Sequence, residues 1–152
     1  MPVIFQDFSV QVKGALSSAV DQYLEEASTE IESAARRKSR VDSGQLKGSW
    51  DHRVSSAKQE ATVGSPLENA VWEEFGTGEY AEKGDGRKGG WYVPAEKLSA
   101  KAKRKMRKTK IKGKVFYFTR GKKPNRTLHT AYENNKAKII RRAEKIFGER
   151  MK

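Results

Sequence analysis

The chain has 152 residues, one domain's length, and carries 32 Lys+Arg against 19 Asp+Glu, a formal net charge of +13. Three Trp, five Tyr and six Phe can build a core, which excludes a disordered chain, and the lack of cysteine excludes disulfide scaffolds, zinc ribbons and thiol chemistry. No stretch approaches the ~20 apolar residues of a membrane span, and Met1 to Asp7 carry no secretory pattern.

In chain order, the first predicted element is a helix from Ser9 to Arg40. Val12, Leu16, Ala19, Val20, Tyr23, Leu24, Ala27, Ile31, Ala34 and Ala35 recur every three or four residues. Arg36, Arg37, Lys38 and Arg40 crowd its end, where cations suit the helix dipole. Before it, Val3-Ile4-Phe5 reads as a short strand or a packing arm. A turn-rich link, Val41 to Trp50, leads to two strands, Ser49–Ser55 and Glu60–Gly64, joined as a hairpin through Ser55 to Lys58. Ser65 as cap, Pro66 at the first helical position and Glu68 completing a capping box predict a helix to about Phe75. Its inward residues are expected to be Leu67, Ala70, Val71 and Phe75, and Gly76-Thr77-Gly78 stops it. The chain to Gly113 is Gly-rich, then basic, and reads as a loop. Val115–Thr119 is the most β-prone run. Arg120 to Pro124 turns the chain into a last helix, Asn125 to Arg150, with Leu128, Tyr132, Ile139, Ile140, Ala143, Ile146 and Phe147 as its buried face. The order predicts a single α+β domain over 1–152. An antiparallel sheet of about three to four strands packs on two long helices, with a short middle helix and a basic loop inserted at about 83–114.

The charge is concentrated. Lys83 to Arg126 holds 17 basic and two acidic residues, a net of +15, while the rest of the chain nets −2. Between Lys97 and Lys114, ten of 18 residues are cationic and none is anionic. Self-repulsion predicts an extended or mobile segment until an anion neutralises it. Three readings stay open for Lys101, Lys103, Arg104, Lys105, Arg107, Lys108, Lys110, Lys112 and Lys114. They could contact a nucleic-acid backbone, contact an acidic protein partner, or form a solvated loop. The run contains no aromatic residue, which disfavours base stacking on single strands.

Little else points to chemistry. His52 and His129 are the only histidines and read as ordinary surface or core residues. Glu25-Glu26 and Glu73-Glu74 are adjacent on helices, so their side chains diverge, and a solvated helix face is the expected reading. Gly84-Asp85-Gly86-Arg87-Lys88-Gly89 spells G-x-G-x-x-G but lacks the preceding strand and following helix, and reads as a flexible turn. No catalytic residue, metal ligand or cofactor is expected, and the chain is read as a non-enzyme.

The motifs together resemble a family of small neck proteins of long-tailed bacteriophages, the head–tail joining, tail-completion or minor structural proteins. Val41-Asp42-Ser43-Gly44-Gln45-Leu46-Lys47-Gly48-Ser49-Trp50 is similar to the family's V-D-[ST]-G-x-L-[RK]-x-S-[IW]. Asn69-Ala70-Val71-Trp72-Glu73-Glu74-Phe75-Gly76-Thr77-Gly78 is similar to Y-A-x-[YW]-x-E-[FY]-G-T-G, with Asn69 where Tyr is common. Tyr80 to Lys88 resembles Y-A-x-x-G-x-G-R-K. Tyr117 to Pro124 and the helix after it resemble [FY]-x-T-x-G-x-x-P-x-x-[FL]-x-x-A. The motif positions are Asp42, Ser43, Gly44, Leu46, Ser49, Glu74, Phe75, Gly76, Thr77 and Gly78.

The resemblance implies a virion structural protein made in the bacterial host cytoplasm. It implies assembly into a homo-oligomeric ring, six subunits being the expected number, among neighbouring neck and tail proteins. Packaged double-stranded DNA in the channel is a further expected contact, and no membrane is. Trp72, Phe75, Trp91 and Tyr92 are the candidate subunit interface; core burial is the preferred reading for Trp72 and Phe75, and interface for Trp91. The Gly76–Gly78 and Gly84–Gly90 stretches are expected to be flexible. The alternative is a free-standing basic nucleic-acid-binding protein.

Overall fold

The computed structural model describes residues 9–150 and 152. The expectation for Val3-Ile4-Phe5 lies outside them. Among the described residues the fold is α+β, with five helices, two of them long, and five antiparallel-paired strands. Helices α1 (Ser9–Lys38) and α5 (Thr127–Arg150) lie antiparallel. Gln22 meets Arg150, Tyr23 meets Phe147, Glu26 meets Arg142 and Glu30 meets Lys138. Because α5 ends opposite Gln22, the start of α1 runs past it. There Val12 and Leu16 of the apolar stripe, and Val10 before them, are exposed rather than packed. Helix α5 is likewise buried along a narrow line, Thr127, Ala131, Ile139 and Ile146, while Tyr132 and Ile140, expected inward, are exposed.

The link after α1 contains a helical turn, α2 (Gln45–Ser49), which the sequence reading did not foresee. Gly44 starts it in the left-handed region, at φ 84°, a conformation that favours glycine. The turn carries Leu46 and Trp50 into the main core, beside Ala34, Ala35, Ala70 and Ala131, with Ile31 and Leu128 against them. The Trp50 indole nitrogen donates to Ser39 Oγ at 2.6 Å, so its one polar atom is satisfied inside. Strands β1 (Asp51–Ser55) and β2 (Glu60–Gly64) form the expected hairpin and pack on α1.

Helix α3 (Glu68–Phe75) begins after the anticipated cap. Ser65 Oγ instead accepts from the Leu67 amide at 3.1 Å and shares a hydrogen bond with Ser49 Oγ at 2.7 Å. The segment read as one loop is largely regular. It holds β3 (Trp91–Pro94), the helical turn α4 (Ala100–Lys103) and β4 (Arg107–Ile111), followed by β5 (Lys114–Thr119). Ser99 caps α4, its Oγ accepting from the Ala102 amide at 3.2 Å. The order in this second sheet is β3-β5-β4. Lys112 and Gly113, both at positive φ, make the two-residue turn between β4 and β5, as a primed hairpin turn requires. Only the second half of the basic run, Arg107–Ile111, is extended, and it is a paired edge strand rather than a loop; Lys97, Lys101 and Lys103 sit on helical turns. Register against the aromatic β5 overrides its charge.

The two sheets are separate. The three-stranded one packs along neither long helix, and none of its residues is fully buried. The chain exposes 11076 Å², whereas a compact monomer of its mass exposes about 7,800 Å².

Candidate functional site

The resembling motifs converge on one joint between the helical layer and the three-stranded sheet. Glu73, on α3, is fully buried. Its carboxylate pairs with Lys122 and lies 3.6 Å from Arg40 Nε, and its Oε1 makes no hydrogen bond. Both cations are themselves about half exposed, so the charge of Glu73 is met at the edge of the interior. Glu74 caps α5, accepting from the Leu128 and His129 amides at 2.7 and 2.9 Å, where the helix dipole favours an anion. The expected solvated face for Glu73-Glu74 is thus overturned: both carboxylates turn inward and hold the start of α5 and the 120–125 segment. Glu26 is not free either. Its bidentate contact with Arg142, helped by Gln22, lowers its pKa to about 2.

Gly76-Thr77-Gly78 is not a free loop. The Thr77 amide donates to the Lys122 carbonyl at 2.8 Å, the Lys122 amide to Thr77 Oγ1 at 2.9 Å, and the Glu79 amide to the Arg120 carbonyl at 2.9 Å. A Cβ on Gly78 would sit 2.3 Å from the Arg120 carbonyl oxygen, and one on Gly121 2.0 Å from that of Thr77. Gly86, in the segment read as a flexible turn, approaches Gly78 as closely. The glycines are there because two backbones cross. In the first motif, Leu46 and Trp50 are core, Ser49 ties α2 to Ser65, and Ser43 Oγ accepts from the Gln45 amide at 3.3 Å. Asp42 is exposed.

With Ala70 and Glu73 inward, α3 turns its apolar side out. Val71, Trp72 and Phe75 are 56%, 47% and 41% exposed. The preferred core reading of Trp72 and Phe75 is corrected: Ala70 and Glu73 take the inward side of α3, which leaves both aromatics on its outer side. Lys83 Nζ sits 5.2 Å from the Phe75 ring centroid. Trp91, expected to be the freer residue, packs on Gly78, with Arg87 5.5 Å above its ring. Tyr92 is half exposed and meets Phe118 edge-on.

The flanking cations Arg120, Lys122 and Arg126 each pair with a carboxylate, on Glu79, Glu73 and Glu82 respectively. The ten cations from Lys97 to Lys114 do not. None makes an ion pair among the described residues, and only the Lys101 side chain has a hydrogen bond, to the Val41 carbonyl at 2.7 Å. Arg107, Lys108, Lys110, Lys112 and Lys114 are all exposed, on or beside the hairpin.

His52 also departs from its bland reading. Its Nδ1 meets Glu32, and its Nε2 meets Glu25 at 3.0 Å, clasping β1 to α1. Those two contacts, Glu32 first, raise its pKa above 6.5. Asp51 lies close enough to join Glu32 and His52 as a donor cluster, but both imidazole nitrogens are committed to carboxylates. Among the described residues, no helix is long and apolar enough to cross a membrane. No protein-family model, curated protein or solved structure matches this chain.

Proposed function

We propose that the chain is a non-catalytic structural protein of the neck of a long-tailed phage virion. It joins or completes the tail by assembling into a homo-oligomeric ring and touching neighbouring neck and tail proteins. The observation that carries this reading is the inverted face of α3. A monomer gains nothing by exposing Val71, Trp72 and Phe75 together, whereas aromatic anchors of this kind are enriched in subunit interfaces. A ring needs two different, complementary patches on each subunit. The second is the overhanging start of α1, where Val10, Val12 and Leu16 are exposed.

The test is the native mass by light scattering. The wild type is expected as a discrete oligomer, and Trp72→Glu with Phe75→Glu as a folded monomer. A wild type that stays monomeric at every concentration and fails to join tails overturns the reading and leaves the free-standing alternative.

A further inference from the structure

We infer that the β4–β5 hairpin with α4 is a contact surface for the phosphate backbone of duplex DNA, used without regard to sequence. This rests on the hairpin's own chemistry and not on the ring.

The first observation is the division of the basic residues. Where the 83–126 segment meets the helical layer, Arg120, Lys122 and Arg126 are neutralised by carboxylates. Between Lys97 and Lys114, none of the ten cations makes an ion pair among the described residues. Cations held together against their mutual repulsion favour a polyanion, which gains affinity by releasing condensed counterions.

The second observation is geometric. β4 is an edge strand, and among the described residues no other strand pairs with its outer side. Side chains two apart on a strand share a face at a spacing of about 7 Å, which places Lys108 and Lys110 on one face and Arg107 on the other. Lys112, at the turn, and Lys114, at the start of β5, extend the charge around the tip. β3 pairs with β5 only from Phe116 onward, so the Lys110–Val115 tip is a two-stranded ribbon, narrow enough to enter a major groove about 12 Å wide.

Composition decides between partners. Eight of the ten cations are Lys, the residue depleted from protein–protein interface cores, and the edge carries no aromatic anchor. Interfaces with DNA are much more positively charged. A single strand is disfavoured because Phe116, Tyr117 and Phe118 are only partly exposed, and the freer ring, Tyr92, lies on β3 at the opposite edge. From Arg107 to Thr119 the hairpin has no Asn, Gln, Asp or Glu to pair with adenine or cytosine edges, and four of its five cations are lysines, flexible point charges suited to phosphates.

The experiment titrates the full-length protein with a labelled 30-base-pair duplex from low to moderate salt. A single strand of equal length and polyglutamate serve as competitors, and native mass is recorded in parallel. The expected result is duplex binding with a steep salt slope, competed poorly by the other two. Replacing Lys105, Arg107, Lys108, Lys110 and Lys112 by Gln should weaken it more than tenfold and flatten the log–log salt slope by about 4, near 0.9 per phosphate contact. Lys136→Gln with Arg141→Gln, on α5, should change it less than about twofold. If the fivefold variant fails to fold, Lys108→Gln with Lys110→Gln should still reduce the slope by about 2. Stronger competition by polyglutamate or by the single strand, or an unchanged slope in the variants, overturns the inference. Native mass separates this from the assembly proposal: a ring that ignores DNA defeats the hairpin's role alone, and a monomer that binds it defeats the ring alone.

Discussion

The two glutamates of α3 show how a residue's type and its role part company. Polarity assigns Glu73 and Glu74 to the outside of an amphipathic helix, yet one is fully buried against Lys122 and Arg40 and the other closes the end of α5. Both partners lie far along the chain, so no local pattern announces them. His52 gives the same lesson, because Glu25 and Glu32 reach it across α1. Its raised pKa fixes a sign. The clasp's contribution to stability is full below pH 6.5 and is lost as pH rises through the higher folded-state value. Urea melts of the wild type should therefore show a declining midpoint over that window. In Glu32→Gln the decline should shrink, and the imidazole titration followed by NMR should move down. A His52 that titrates identically in both proteins would show that Glu32 does not hold it.

At the scale of elements, the long helices, the first hairpin and β5 were legible, because periodicity and β-branched or aromatic runs are local signals. β4 was not. Its residues state only charge, and its conformation comes from pairing with β5 across a Lys-Gly turn. The crossing of Gly76–Gly78 with Arg120–Lys122 was visible as a motif but not as a cause. That cause is testable. Gly121→Ala places a methyl 2.0 Å from a carbonyl oxygen at φ 116°, and should cost at least about 2 kcal/mol, or a Tm lower by roughly 4–8 °C. Gly84→Ala, at φ 70° but with open space around it, should cost about 1 kcal/mol. Equal losses from the two would mean that backbone conformation alone, and not the crossing, makes Gly121 necessary.

The whole molecule is a thin structure for its length. Its buried apolar residues are mostly alanines, with Leu46, Trp50, Ile139 and Ile146 as the large exceptions. The sequence supplied the α+β class but not the separation of the sheets, since nothing local says which strand edge finds which partner. Under the proposed ring assembly, a fold with so little interior would gain stability from association. The expected consequence is a Tm that climbs by roughly 5–10 °C over a hundredfold rise in protein concentration above the dissociation constant. A concentration-independent Tm would show that the subunit is held by its own core. The open edge of β4 also bears on how copies meet. A bare strand edge invites the same edge of another molecule, and alternating lysines are a common guard against it. Lys108 and Lys110 set like charge against like in any such pairing, and Pro94 removes a donor from the other edge. The charge on this sheet thus acts as a veto: it forbids growth of a continuous β-ribbon from copy to copy and leaves association to the helices, where a closed assembly can stop.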